Sequence, residues 1–273
     1  TVLCGTSTFL RLYVRSPKIH PLMLQSLRIV VAGAERLAPE VREGFALKFH
    51  KEVLEGYGAT ETTPVASVNV PDALETETWK VQTGSRPGTV GMPFPGTSFR
   101  IDDPATLETV PPGADGLSLS GGVQVMKGYL GAPEKTAEAI VELDGTRWYR
   151  TGDKGHLDAD GFLTIIDRYS RFAKLGGEMI SLSAVEDAVR HALLLPELEL
   201  VAVNLPDERK GERIVLLVAA SDGLELETLR RAMLASGANP LAIPSEIRRV
   251  DVIPRLGSGK TDFGAARRLA LAV

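Results

Sequence analysis

The sequence predicts an α/β layer that passes into a β-rich region and ends in a small αβ module, a mixed α/β and α+β chain. Three observations carry that expectation. Two short apolar runs flank a helix pattern near the start, glycine and proline punctuate short segments from Gly88, and longer helix and strand patterns return after Arg168. Strand, helix, strand at close spacing marks an α/β layer, whereas short runs bounded by Gly and Pro mark strands and turns.

In the first region, Leu27-Arg28-Ile29-Val30-Val31-Ala32-Gly33 reads as a buried strand closed by glycine. Pro39 to Lys51 has the mixed polarity of an amphipathic helix opened by proline, and Glu52 to Gly58 offers a second short strand. In the β-rich region, about 88–168, Gly88, Gly91, Pro93, Pro95 and Gly96 precede the strand candidates Ser98 to Ile101 and Gly116 to Ser120. A helix-like stretch, Pro133 to Leu143, interrupts before the strand candidate Gly161 to Asp167. A sheet or distorted barrel is expected there rather than a bundle.

Beyond the boundary, placed at Arg168 to Arg171, Ser183 to Leu194 and Glu225 to Ala235 read as amphipathic helices. Leu198 to Leu205 and Ile214 to Ala220 read as strands. A short strand from Ile247, the turn-forming Pro254 to Gly259 and a helix near Phe263 to Ala270 complete the module.

Composition narrows the function. The 273 residues suffice for about two domains at roughly 150 residues each, and 44% hydrophobic with 24% charged residues is a globular balance. A single cysteine, Cys4, excludes an internal disulfide and leans toward a reducing compartment. With 31 basic against 35 acidic residues the net charge is −4, so nucleic acid is not an expected partner. No apolar run reaches the roughly 18 residues of a membrane-spanning helix. The chain opens on Thr1-Val2-Leu3-Cys4-Gly5, without initiator methionine or signal-like segment, and is read as a fragment of a longer protein.

Three motifs offer chemistry. Gly56-Tyr57-Gly58-Ala59-Thr60-Glu61-Thr62-Thr63 places an aromatic face between two glycines and hydroxyls beside a carboxylate, which suits a planar group, phosphate oxygens and a hard cation. The same residues also suit an ordinary strand-ending turn. Tyr149-Arg150-Thr151-Gly152-Asp153 sets an aspartate after glycine, able to accept from a ribose diol or to cap a turn. Asp167-Arg168 adds a guanidinium suited to phosphate or sugar oxygen, or to a surface ion pair. Pro254-Arg255-Leu256-Gly257-Ser258-Gly259-Lys260-Thr261 ends like a P-loop but has Pro254 where that motif needs glycine. It presents a lysine cation for developing negative charge or forms an exposed basic turn.

Other patterns are set aside. Asp158-Ala159-Asp160-Gly161 resembles a shortened calcium loop, but its twelfth position is Tyr169, so a hairpin turn is expected. His20, His50, His156 and His191 show no zinc spacing. Gly5-Thr6-Ser7-Thr8 fits a strand-exit turn better than a phosphate contact. No G-x-S-x-G element occurs.

The ordered set resembles the adenylate-forming, acyl-CoA synthetase-like superfamily. Gly56 to Glu61 is similar to its G-Y-G-x-T-E motif, Tyr149 to Asp153 to its Y-x-T-G-D motif, Asp167-Arg168 with Lys174 and Gly177 to its hinge-region motif, and Pro254 to Lys260 to its terminal lysine motif. Gly121, Gly128 and Tyr129 match an intervening G-(x)6-G-Y pattern. A narrower likeness, carried by Arg171 to Leu182, Gly121 to Tyr129 and Leu256 to Lys260, is to the acyl-acyl carrier protein synthetase part of bacterial 2-acylglycerophosphoethanolamine acyltransferase.

The resemblance implies a truncated adenylate-forming fold: residues 1–168 a partial adenylation domain, 169–171 a hinge, and 172–273 a small mobile lid domain. It implies ATP and Mg2+ as cofactors, fatty acid as substrate, and acyl carrier protein, alternatively CoA, as acceptor. The parent would act on lysophospholipid at the cytoplasmic side of the inner membrane. By family position Gly33, Ala34 and Glu35 belong to the adenine side, Tyr57 stacks and Gly58 lines the pocket. Thr60 contacts phosphate, Glu61 contacts Mg2+, Asp153 holds the ribose hydroxyls and Arg168 faces ribose or phosphate. Lys260 neutralises charge during adenylation, Ser170 is the hinge, and Lys174 and Gly177 serve the thioester stage. The family's upstream glycine-, serine- and threonine-rich phosphate loop is not among these residues, so the isolated chain is expected to be an incomplete synthetase. A noncatalytic nucleotide-binding or interaction module is the remaining alternative.

Overall fold

The computed structural model describes residues 1–208, 211–219, 224–257 and 259–272. Ala220, Ser258 and Val273, which close or interrupt expected segments, lie outside the described residues. The chain forms two compact units, Thr1–Ile166 and Asp167–Val273.

The first unit begins with β1 (Val2–Gly5), α1 (Ser7–Arg15), β2 (Ile29–Ala32), α2 (Pro39–Phe49) and β3 (Val53–Tyr57). The three strands pair in parallel, Cys4 opposite Val31 and Val30 opposite Val53. In α2, Pro39 opens the first turn beside Glu40, Lys48 lies in the last turn, and His50 ends the helix in the left-handed region. Each of these favours the observed polarity and stop. Val41, Phe45 and Phe49, four residues apart, form the buried stripe that meets Leu10, Val30 and Val53. The Thr6 side chain caps α1 by accepting from the Phe9 amide.

β4 (Ser67–Val68), an exposed hairpin of β5 (Ala73–Glu75) and β6 (Lys80–Gln82), and β7 (Met92–Pro93) follow. β4 joins β3 antiparallel and β7 joins β4, extending the parallel sheet to five strands. A second five-stranded sheet contains β8 (Thr97–Asp102), β9 (Gly116–Gly122), β10 (Ile140–Leu143), β11 (Thr146–Leu157) and β12 (Leu163–Arg168), in the order β10-β11-β9-β8 with β12 on β11. The expected helix Pro133 to Leu143 is corrected: α3 (Pro133–Ala139) stops there and the β-branched Ile140-Val141 begins β10. Asp158–Gly161 is a turn between β11 and β12, tied to Arg86 through Asp158 and Asp160.

The second unit contains β13 (Phe172–Leu175), β14 (Glu178–Ser181), α4 (Leu182–Leu193), β15 (Leu200–Asp207), β16 (Gly211–Ala219), α5 (Leu226–Ala235), β17 (Glu246–Val250) and α6 (Phe263–Leu271). Its sheet order is β14-β13-β16-β15, with β17 parallel to β16. Period-two alternation divides the core. Leu200, Ala202, Leu216 and Val218 pack with Val185, Val189, Leu229 and Met233 on one face. Val201, Val203, Val215 and Leu217 pack with Ala266 and Ala270 on the other. Among the described residues no helix is long and apolar enough to cross a membrane.

Candidate functional site

Open α/β sheets bind ligands beyond the carboxyl ends of their parallel strands, and the first cluster of expected site residues lies there. Gly33 follows β2, and a Cβ at this position would lie 3.3 Å from the Gly56 carbonyl oxygen. Ala34 is exposed in the left-handed region at φ 70°. The Glu35 carboxylate accepts from the Thr8 amide at 2.6 Å, satisfying an N–H that α1 leaves open. The Ser7 hydroxyl accepts from the Ala38 amide at 3.1 Å, so the turns after β1 and β2 are joined.

Gly58 is dictated by close backbone approach: a Cβ there would lie 1.9 Å from the Pro64 carbonyl oxygen. The following 3-10 turn, Thr60–Thr62, leaves Thr60 exposed and Glu61 half-buried. Thr62, not singled out from the sequence, shapes this turn. Its buried hydroxyl accepts from the Ala59 amide at 2.9 Å and lies 3.0 Å from the Ala59 carbonyl.

Two phenol–carboxylate pairs define the polar part of the site. Tyr57 donates its hydroxyl hydrogen to Asp153 Oδ2. Asp153 is 6% exposed and lies where the β11–β9 register shifts between Arg150 and Lys154. A β-bulge re-aims a side chain out of the ladder, and here it brings Asp153 to the end of β3. The Thr151 hydroxyl accepts from the Asp153 amide at 3.0 Å and donates to the Ser118 carbonyl at 2.7 Å, holding the bulge. Burial, then the Asp153 charge, pushes the Tyr57 phenol well above its ordinary range.

The second pair joins Tyr129 to Glu61, hydroxyl to Oε1, at 2.7 Å. That bond pushes the Tyr129 phenol up to about 12. Tyr149 is raised as well, first by burial and then by the Glu61 charge. In the sequence Tyr129 and Tyr149 stand only as motif positions, and no local pattern marks their convergence on Glu61.

The remaining expected residues belong to the second unit. Arg168 is exposed at the end of β12 and Ser170 is exposed in the 3-10 turn Tyr169–Arg171. Arg171 is buried, donating to the Ala202 carbonyl at 2.9 Å and to Glu186 at 2.7 Å, with its guanidinium 3.8 Å from the Phe263 ring centre. Lys174 is exposed on β13 while its amide donates to Glu212 at 2.6 Å. Gly177, at φ 96°, completes the tight turn into β14 that an L side chain would strain. The half-buried Lys260 follows Gly259 in a loop closed by the Leu256 amide donating to the Lys260 carbonyl at 2.8 Å and by an Arg255–Thr261 bridge.

Among the described residues no group of three or more His, Cys, Asp or Glu could hold a metal ion. Glu61 offers a single carboxylate, which fits a Mg2+ ion carried chiefly by substrate phosphates rather than a protein cage.

The fold is the mixed α/β fold of adenylate-forming enzymes: ATP-bound MatB from Rhodopseudomonas palustris aligns with TM-score 0.82 and 25% identity over 98% of this chain and 50% of that one. A family model described as AMP-binding enzyme matches residues 1–130. The 4-coumarate–CoA ligase 1 of Glycine max is 32% identical over 253 residues, 90% of this chain and 81% of that protein. The chain belongs to the AMP-binding enzyme family. A long-chain-fatty-acid–CoA ligase of Bacillus subtilis (strain 168) is 30% identical over 265 residues, 95% of this chain and 44% of that protein. A fatty acid–[acyl-carrier-protein] ligase, ScoC, of Streptomyces coeruleorubidus is 32% identical over 266 residues, 95% and 48% respectively. The chain spans about half the length of the first curated relatives it matches, 44% and 51%.

Proposed function

We propose that the protein activates a fatty acid with ATP and passes the acyl group to a thiol, that of an acyl carrier protein, with CoA as the alternative acceptor. The observation that carries this reading is Asp153, a buried carboxylate held by Tyr57 beside the carboxyl end of β3. A carboxylate accepts paired hydrogen bonds from a diol, and its phenol partner orients it without neutralising it. Membership of the AMP-binding family supports the nucleotide, and relatives named for CoA and for carrier protein support the two acceptors.

In this reading Gly33, Ala34 and Glu35 border adenine, the Tyr57 ring stacks on it and Gly58 lines the pocket. Asp153 holds the ribose hydroxyls, Arg168 faces ribose or phosphate, and Thr60 contacts phosphate. Glu61 would hold Mg2+, whose chemistry is to spread the negative charge of the phosphates. A fatty carboxylate oxygen bonds to the α-phosphorus as the bond to pyrophosphate breaks, with the Lys260 cation stabilising the charge. The acceptor thiolate then bonds to the acyl carbon and AMP departs. Residues 1–168 would be the partial adenylation domain and 172–273 a lid turning at Ser170, so that Lys260 serves the first stage and Lys174 with Gly177 the second. Placement within a parent that reacylates lysophospholipid at the membrane rests only on the residue likeness of Arg171 to Leu182, Gly121 to Tyr129 and Leu256 to Lys260.

The test is a two-stage assay on the parent protein. ATP and fatty acid should yield acyl-AMP and pyrophosphate, and carrier protein should accept the acyl group faster than CoA. Preference for CoA would replace the acceptor, and nucleotide binding without acyl-AMP would replace the enzyme reading by a binding module.

A further inference from the structure

Tyr129 reaches Glu61 from a loop that is fastened to the same turn at further points. The Met126 amide donates to the Glu61 carbonyl at 2.8 Å, and the Thr63 hydroxyl donates to the Gln124 carbonyl at 2.7 Å. Arg147 donates to the carbonyls of Met126 and Lys127 at 3.1 Å each, and the Thr136 hydroxyl accepts from the Tyr129 amide at 2.9 Å. The position of the Tyr129 hydroxyl is therefore set by α3, β11 and the Glu61 turn together.

The chemistry of the contact is selective. Lys or Arg against Glu61 would cancel much of its charge, whereas a phenol is a neutral donor. A phenol, with its ordinary pKa of about 10, adds no competing negative charge at neutral pH. A carboxylate has about four acceptor positions, and the Tyr129 bond uses one of them on Oε1. Tyr149 also hydrogen-bonds the carboxylate, and because both donors are neutral phenols the whole charge stays with the site.

We propose that Tyr129 is a positioning residue, its hydroxyl pinning Oε1 of Glu61 so that this carboxylate is presented, oriented and fully charged, to the divalent cation that accompanies the nucleotide triphosphate. This rests on the nucleotide reading above. It assigns Tyr129 no contact with nucleotide or acyl group, so its effect appears only where the cation is required.

The experiment measures calorimetric affinity of the 273-residue chain for AMP in EDTA and for ATP with and without Mg2+. The wild type should bind AMP in EDTA and bind ATP more tightly with Mg2+. Tyr129→Phe keeps the ring and removes the donor. It should leave AMP affinity within about twofold and reduce the Mg2+ enhancement by about tenfold, the scale of one hydrogen bond to a charged group. Glu61→Gln should abolish the enhancement, and adding Tyr129→Phe to it should change nothing further, because Tyr129 acts through Glu61. A full Mg2+ enhancement in Tyr129→Phe would overturn the proposal and leave the nucleotide reading standing. So would an equal loss of AMP affinity, which would make Tyr129 part of the pocket wall. A wild type that binds AMP but gains nothing from Mg2+ would overturn the metal role of Glu61 and this proposal with it, and one that binds no nucleotide would overturn the nucleotide reading itself.

Discussion

The Tyr57 hydroxyl donates to the Asp153 carboxylate, joining the end of β3 to the bulge of β11 across 96 positions of sequence. The bond ties the parallel sheet to the antiparallel one within the first unit, and it has a pH signature. Burial and Asp153 raise the Tyr57 phenol well above 10.0. The unfolded chain releases this proton from about pH 10 upward while the folded chain retains it, so the contribution is complete below about pH 10 and is lost as pH climbs through the folded value. Tyr57→Phe should lose about 1 to 3 kcal/mol at neutral pH and show a shallower alkaline decline. Urea titrations at about pH 7 and about pH 11 measure both; equal stability at neutral pH would remove this pair from the energetics of the fold.

Asp153 and Glu61 should separate in nucleotide binding. Asp153→Asn removes the charge proposed to hold the diol and should weaken AMP binding by about 10- to 100-fold, corresponding to roughly 1.5 to 3 kcal/mol for a charge-assisted bond. Glu61→Gln should leave AMP affinity in EDTA unchanged, since its proposed partner is a cation. Calorimetry on the two variants decides the matter, and a reversed pattern would exchange the roles.

Much of this architecture was legible because periodicity survives in single segments. The stripe Val41, Phe45, Phe49 and the alternation along β15 and β16 announce their elements. α1 was not read, because Phe9 and Leu12 point outward and only Ser7 and Leu10 are buried, which blurs the apolar face. The twelve-residue β11 was seen only as a motif, since Gly152, Asp153 and Lys154 break the alternation where the bulge lies. The site was legible as residue types and not as contacts. Tyr129 and Glu61 are 68 positions apart, and nothing local in either segment specifies that a phenol will meet that carboxylate.

Gly58 is a position where one methyl group has no room. The Cβ of alanine would lie 1.9 Å from the Pro64 carbonyl oxygen and 2.8 Å from Val65 Cα, both backbone atoms that cannot rotate away. Gly58→Ala should cost about 1 to 3 kcal/mol by overpacking. Gly257→Ala, with nothing within 4 Å of the added atom, should be nearly neutral. Thermal unfolding of the pair tests whether the turn before Glu61 is as tightly closed as its geometry states.

In the second unit, Arg171 carries the buried charge balance. Burial raises Glu186, and Arg171 opposes that rise. Arg171→Ala leaves the carboxylate without its guanidinium and should destabilise the unit by about 3 to 5 kcal/mol. The folded pKa of Glu186 then rises further, so stability linked to its protonation is present below the unfolded value and lost as pH increases through the folded one. The variant should therefore recover part of its deficit on acidification. Denaturant midpoints compared between about pH 7 and about pH 5 would contradict this if the deficit were constant.

Lys260 should matter to one half-reaction. It sits in a loop closed by the Leu256–Lys260 backbone bond, the Gly259 amide donating to Leu256 and the Arg255–Thr261 bridge, so truncating its side chain leaves the loop's main-chain support in place. In the proposed reaction negative charge accumulates on the α-phosphoryl group as the carboxylate attacks, and removal of one well-aimed donor at such a point costs about 2.7 to 4 kcal/mol, or roughly 100- to 1,000-fold in rate. Thiol attack on a preformed acyl-adenylate forms no new phosphoryl bond and falls at a different stage of the cycle. Lys260→Ala in the parent protein should therefore slow acyl-AMP formation by about two to three orders of magnitude and leave transfer from supplied acyl-AMP within a few-fold of wild type. Rapid-quench measurement of each step separately is the test; equal losses in both, with folding unchanged, would make Lys260 a structural contact and not a stage-specific cation.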